Sequence, residues 1–300
     1  MSDFSPETRN SAWWSGDSRL AAQGKANEAI LIKQGKMERP DLSQVEAVQM
    51  GHVMEPVIGS LAQKALGVEL TKIDDAYAHK TEPWLKSHFD FVGRGNDGQA
   101  FLVEAKNYNA GNRSKFDSDA GLLPPADMAQ LVHEATVFGV ETVYLAVLFG
   151  GAEFVLIRKD ITEEMKQTHV QEMAKLWAHV QAGTALPPET SDQARALYPV
   201  SQEGLKTASQ SVEQAAAVLS QIKAQIKALE AQEDQLATML QGYLADADTL
   251  VTVDGRVLAT WKSAKPSMKF DSKLFQTAMP DIYRQFTVSS PGSRRFLLKG

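Results

Sequence analysis

The stretch from Ser87 to Asn107 constrains this 300-residue chain more than any other. It holds two apolar runs, Phe89 to Val92 and Phe101 to Glu104, joined through Gly95-Asn-Asp-Gly98. β-branched and aromatic residues on both sides of a Gly/Asn/Asp turn predict a hairpin. A turn centred near Asp97 sets Asp90 opposite Glu104. The two-residue period of a strand puts Lys106 on the same face as Glu104. Two acids and a lysine then converge at one spot. Two carboxylates and a backbone carbonyl are hard oxygen donors suited to Mg2+ or Mn2+. A cation held there lowers the pKa of a bound water and stabilises charge on a phosphoryl oxygen. The same residue types also make ordinary surface salt bridges in many chains. Here they sit in strands that are otherwise apolar, and Lys106 ends the apolar run.

The wider chain sets the bounds. Cys is absent, so disulfides and thiolate metal sites are excluded. No apolar run is long enough to span a bilayer. The first residues, Met1-Ser-Asp-Phe-Ser-Pro-Glu, lack the basic-then-apolar pattern of a signal peptide, so a cytoplasmic location is expected. The net charge of −6 argues against polyanion binding over the whole surface. Charge is uneven, however. Residues 251–300 hold nine basic and three acidic side chains, a net of +6 interleaved with Trp261, Phe270, Phe275, Tyr283, Phe286 and Phe296. That mixture suits a nucleic-acid contact, and equally a small folded module with a solvated basic face.

Three parts are expected. Residues 1–200 read as an α/β domain with a mixed sheet. A helix is predicted over 44–66, with Met50, Val53, Met54, Val57, Ile58, Leu61 and Ala65 on one stripe and a kink or restart at Pro56. A strand near 68–73 and the hairpin follow, then a loop over 111–125. A helix after Pro124-Pro125-Ala126, capped by Asp127, should end at Gly139. It shows Gln130, His133 and Glu134 on a polar face turned to a cleft. Two strands joined by Gly150-Gly151 and a helix carrying Met173 and Trp177 close the domain. Residues 203–245 repeat apolar side chains every seven residues, Leu205 to Leu240 and Ala208 to Tyr243, broken at Glu233. One long amphipathic helix is expected, pairing with another chain or folding back on its own. Residues 249–300 should give a hairpin at Asp254-Gly255, a helix over 272–279 and a last strand over 295–299.

Gly51-His-Val-Met-Glu55-Pro, then Asp90 with Glu104-Ala-Lys106, then Met128-Ala-Gln130 appear in order. Together they resemble the PD-(D/E)XK nuclease superfamily, and more narrowly the phage lambda-exonuclease-like, YqaJ-type recombination nucleases, over about residues 9–180. The resemblance implies a restriction-endonuclease-like core. It implies that Asp90, Glu104 and the Ala105 carbonyl bind Mg2+ (or Mn2+) and that Lys106 assists the nucleophile. Glu55 would support the metal or its water, and Gln130 would assist the site. Arg9 and Gly16-Asp17-Ser18-Arg19 match a segment that meets a 5′-phosphate, with Ser18, Arg19 and Arg9 as the contacts. The chain departs from the family at Ser87-His88-Phe89-Asp90, where relatives often have Ser-Pro-Asp. The implied activity is digestion of double-stranded DNA from the 5′ end in phage-type recombination. The implied partners are DNA ends, a single-strand-annealing protein and a homo-oligomer, a ring trimer by analogy, in a bacterial host. A noncatalytic nuclease-fold scaffold or DNA-binding protein and an endonuclease of the same superfamily are the alternatives.

Overall fold

Up to Pro199 the helices are α1 (Pro6–Asn10), α2 (Ser15–Ala22), α3 (Ala26–Lys33), α4 (Glu46–Leu66), α5 (Pro125–Phe138), α6 (Glu163–Ala182) and α7 (Ser191–Leu197). The strands are β1 (Trp13–Trp14), β2 (Leu70–Lys72), β3 (Tyr77–Ala78), β4 (Leu85–Ser87), β5 (Phe91–Arg94), β6 (Ala100–Tyr108), β7 (Thr142–Phe149) and β8 (Glu153–Asp160). These elements come from a computed structural model that describes residues 5–117, 120–289 and 292–299. The chain divides into two compact units between Pro199 and Val200.

The first unit is α/β with a mixed sheet. Its main sheet has the order β2-β5-β6-β7-β8. Only β6 and β7 run parallel, which requires a crossover, and α5 lies in that connection. The β5–β6 register pairs Phe91 with Val103 and Val92 with Leu102, so one further step sets Asp90 beside Glu104, as the turn position requires. Gly98 makes that turn possible: its φ of 78° is a conformation that side chains disfavour. The expected hairpin through Gly150-Gly151 joins β7 to β8.

Strand alternation sorts the two faces. Phe91, Phe101, Val103, Ala146 and Leu148 face α4, where Ile58 and Ala62 are buried. Leu102, Val143, Leu145 and Val147 face the other way, onto Leu131 and Ala135 of α5 and Trp177 of α6. Glu104 and Lys106 share the α5 side. Burying Ile58 alone contributes about 1.5–3 kcal/mol. Close approach of α4 depends on Gly59, where an added Cβ would lie 2.4 Å from the Phe91 ring.

Several expectations are corrected. α4 starts at Glu46 and runs through Pro56 without a break. Only part of its stripe is covered: Met50, Val53 and Val57 are exposed, because the sheet lies beneath Met54, Ile58, Leu61 and Ala62. The stretch expected as a loop opens with a 3-10 turn at Ala110–Lys115, and residues 118 and 119 within it lie outside the described residues. Asp127 is not the cap of α5; Pro124 is, and Asp127 lies in the first turn with its carboxylate turned to Arg19. A small sheet, β1-β4-β3, was not anticipated.

In the second unit, α8 (Gln210–Leu244) is a 35-residue helix. Its seam side chains Val212, Ile226, Ile222, Leu229 and Leu236 are exposed. The first heptad, Leu205 and Ala208, lies outside the helix. β9 (Thr249–Val251) and β10 (Val257–Thr260) form the hairpin expected at Asp254-Gly255. Next come α9 (Ser272–Ala278), as expected, and α10 (Pro280–Gln285), which was not. Residues 295–299 form no strand. Among the described residues no helix is long and apolar enough to cross a membrane.

Gly59→Ala should lower stability. Overpacking against the enclosed Phe91 ring costs about 1–3 kcal/mol, of which better helix propensity returns up to about 1. A thermal melt should show a Tm lower by roughly 2–6 °C. An unchanged or higher Tm would show that α4 has room to shift.

Candidate active site

Glu104 is a carboxylate in the middle of an apolar strand and is only 5% exposed. Its Oε1 accepts from Lys106 Nζ at 2.6 Å and from Gln130 Nε2 at 2.6 Å. Two residues along β6 bring the lysine to the same face, while α5 supplies the amide from above. The second proton of the Gln130 amide goes to Glu134 Oε1 at 2.7 Å, one helical turn further along α5. Gln130 Oε1 in turn accepts from Arg19 Nη1 at 3.1 Å. Arg19 also pairs with Asp127, and Tyr108 donates to the same Asp127 oxygen at 2.7 Å. The site is thus one connected network across β6, α5 and α2.

Asp90 lies one residue before β5, and its Oδ2 accepts from the Ala105 N–H at 2.8 Å. In a strand the N–H and C=O of one residue point to the same side. The Ala105 carbonyl therefore points toward Asp90, where β5 has not yet begun. Asp90 Oδ1 and Glu104 Oε2 have no hydrogen bond among the described residues. Each carboxylate so presents one uncommitted oxygen next to a carbonyl, a donor set that fits a hard divalent cation. Among the described residues no three His, Cys, Asp or Glu side chains gather as a metal cage.

The electrostatics follow from burial. Desolvation, and then Glu104, push the Asp90 carboxyl well above the ordinary range; Lys106 and the Ala105 N–H act against this. Desolvation and Glu104 likewise raise Glu134. Burial works against the Lys106 charge, but Glu104 beside it outweighs that, and the ammonium is held above its usual value. Lys106 is therefore a fixed cation at neutral pH. For Arg19, burial is likewise outweighed by Tyr108 and Asp127.

The remaining expected residues fall in different places. Glu55 projects from α4, which covers the opposite face of the sheet. It pairs with Lys72 on β2 at 2.9 Å and contributes to raising Asp90. It is at the rim, not among the network. Ser18 is a correction: it is 1% exposed and turned inward. It takes the Trp13 indole N–H at 3.1 Å, and its hydroxyl lies 2.9 Å from His133 Nδ1 and 3.2 Å from Met173 Sδ. Arg9 sits near His88, whose pKa is lowered by burial and then by Arg9. His133 and its helix face are buried rather than turned to a cleft; His133 Nε2 meets the Lys86 carbonyl at 2.9 Å. In the segment Ser87-His88-Phe89-Asp90, His88 stacks on Trp14 and Phe89 enters the core against Phe138.

Sequence reasoning assigned no site role to Glu134, Tyr108 or Asp127. Their spacing carried the information: Tyr108 follows Lys106 by one strand period, and Glu134 and Asp127 lie four after and three before Gln130 on α5.

The first unit is thus an α/β fold, a mixed sheet flanked by helices, with this network at the margin of β5 and β6. Residues 18–141 match the family model of the YqaJ-like viral recombinase domain. Among solved structures, the chain is similar to an alkaline exonuclease from Laribacter hongkongensis, at 15% identity and TM-score 0.47, over 59% of this chain and 91% of that one. It is also similar to a phage-related exonuclease from Haemophilus somnus (11%, TM-score 0.39, 55% and 82%). A Holliday junction resolvase from Archaeoglobus fulgidus matches at 18% and TM-score 0.21, over 42% and 96%. No curated protein matches the chain.

Glu134→Gln tests the burial argument. A carboxyl whose folded pKa is raised favours folding below its unfolded value, 4.5, and loses that advantage as pH rises toward the folded pKa. Relative to the parent, the glutamine variant should gain stability between pH 4.5 and pH 8. Urea midpoints measured in EDTA at the two pH values read this out, and a constant difference would reject it.

Proposed function

We propose that residues 1–200 form a nuclease domain that hydrolyses phosphodiester bonds of double-stranded DNA from the 5′ end, in phage-type recombination. The observation that supports this most is the convergence of Asp90, Glu104 and Lys106 beside Gln130 and Arg19. Asp90, Glu104 and the Ala105 carbonyl would hold Mg2+, or Mn2+, which when bound supplies a Lewis acid and a more acidic water. Lys106, kept protonated by Glu104, orients the attacking water or donates to the phosphoryl oxygen on which charge develops. Gln130 holds Glu104 in place and is itself held by Arg19. Arg19, partly exposed at the edge of the network, would meet a terminal phosphate. Glu55 supports the rim. A single-strand-annealing partner and a homo-oligomer belong to this proposal through the family resemblance. The exposed seam of α8 is the surface that supports self-association.

Linear duplexes labelled at either end, with and without a 5′-phosphate, in Mg2+ and in EDTA, test the proposal. Loss of the 5′ label as mononucleotides, in Mg2+ only, is the expected result. Cutting of a covalently closed circle would favour an endonuclease instead. Asp90→Ala, Glu104→Ala and Lys106→Ala should each lose activity by about 100-fold or more while the protein stays folded. Full digestion by Lys106→Ala would refute the role given to that residue.

A further inference from the structure

The second unit carries a surface that the nuclease proposal does not use. Between β10 and α9, residues 261–271 have no regular secondary structure and hold Lys262, Lys265 and Lys269; Lys273 follows in the first turn of α9. In the sequence Phe270 lies between Lys269 and Lys273, next to Asp271, whose carboxylate caps α9 by accepting from the Leu274 N–H at 2.9 Å. The Phe270 ring lies 5.1 Å from that of Phe275, which in turn lies 6.5 Å from Tyr283 on α10. Phe275 and Tyr283 are half-buried, but Phe270 is 74% exposed. The inner rings thus support an outer ring whose flat surface faces solvent. Lys265, Lys269 and Lys273 are exposed and enter no ion pair among the described residues.

Exposed aromatic area joined to further rings and flanked by positive charge marks a surface that a partner can cover. The cover must be anionic, to match lysines that enter no ion pair among the described residues, and must present flat apolar faces to the ring. Unpaired bases on a phosphate backbone have both properties. A duplex hides its base faces in the stack, and an acidic peptide matches the lysines without needing the ring. We infer that the Phe270 ring with Lys265, Lys269 and Lys273 is a binding site for single-stranded DNA. This goes beyond the proposed digestion, although single strands are what digestion of a duplex from one end leaves behind.

The test uses the full chain in EDTA, where hydrolysis does not enter, and fluorescence anisotropy with a labelled oligo-dT across a salt series. Two variants separate the parts of the site: Phe270→Leu, which keeps an apolar contact to Phe275 but no flat face, and the triple Lys265→Gln, Lys269→Gln, Lys273→Gln. Phe270→Leu should weaken oligo-dT binding by about fivefold or more with no change in salt slope. The triple variant should weaken it and flatten the slope of log K against log salt by about 2. Both change exposed side chains, and both should melt and digest a short duplex as the parent does. Unchanged oligo-dT binding in both overturns the inference and leaves the surface to an acidic protein partner. Weakening by the triple variant alone also overturns it, since that is diffuse charge attraction without a stacking site.

Discussion

A carboxyl group inside an apolar sheet needs hydrogen-bonding partners, and the first unit is organised around supplying them to one oxygen of Glu104. One oxygen is taken by Lys106 and Gln130. Holding the Gln130 amide in the required orientation needs an acceptor for its second proton and a donor for its oxygen. Glu134 and Arg19 provide these. Arg19 then needs its own counter-charge, and Asp127 supplies it with Tyr108 alongside. A single buried acid therefore fixes the relation of β6, α5 and α2. The other oxygen of Glu104, like Asp90 Oδ1, makes no hydrogen bond among the described residues.

How much of this was legible depends on the distance over which each contact acts. The register that sets Asp90 beside Glu104 is a property of one turn, and Gly98 and the apolar runs spell it out. The ends of β7 and β8 and of α5 are similarly local, at Gly150-Gly151 and Gly139. Asp127 was misread because a short polar residue at a helix start ordinarily caps it; its actual partner, Arg19, is 108 positions away. The small sheet pairs Trp13 with Leu85 through strands too short to show a period. On α4, periodicity located a stripe but could not say how much of it meets a neighbour. Ser18 belongs to a motif that the order of residues reveals, whereas the direction of its hydroxyl depends on His133 and Trp13, which that order leaves unspecified.

The second unit shows the opposite balance. Its elements were mostly readable, since α8 follows a heptad and the β9–β10 hairpin follows Asp254-Gly255. What covers them was not, because a seven-residue repeat describes one half of an interface. Exposed Ile222, Leu229 and Leu236 and the exposed Phe270 ring are the unmatched halves. Each calls for a cover of a different kind: an apolar seam for α8, an anionic polymer with flat bases for the ring.

The contacts around Ser18 have a consequence for aim. An indole N–H can only donate and a carbonyl can only accept. With Trp13 at one end and the Lys86 carbonyl at the other, the His133 ring, kept uncharged by burial and by His169, carries its proton on Nε2. Nδ1 is then an acceptor, with the Ser18 hydroxyl at 2.9 Å and His169 Nε2 at 3.1 Å in reach of it, and the same hydroxyl lies 3.2 Å from Met173 Sδ. Asp17 adds a second pin through the buried Lys33 ammonium. Together they fix the rotational phase of α2, and Arg19, about 100° further round the helix, takes its bearing from residues that never touch it. Phase, unlike position, has no partial error: one residue gained or lost between Trp14 and Ser18 would turn the guanidinium away from the network altogether.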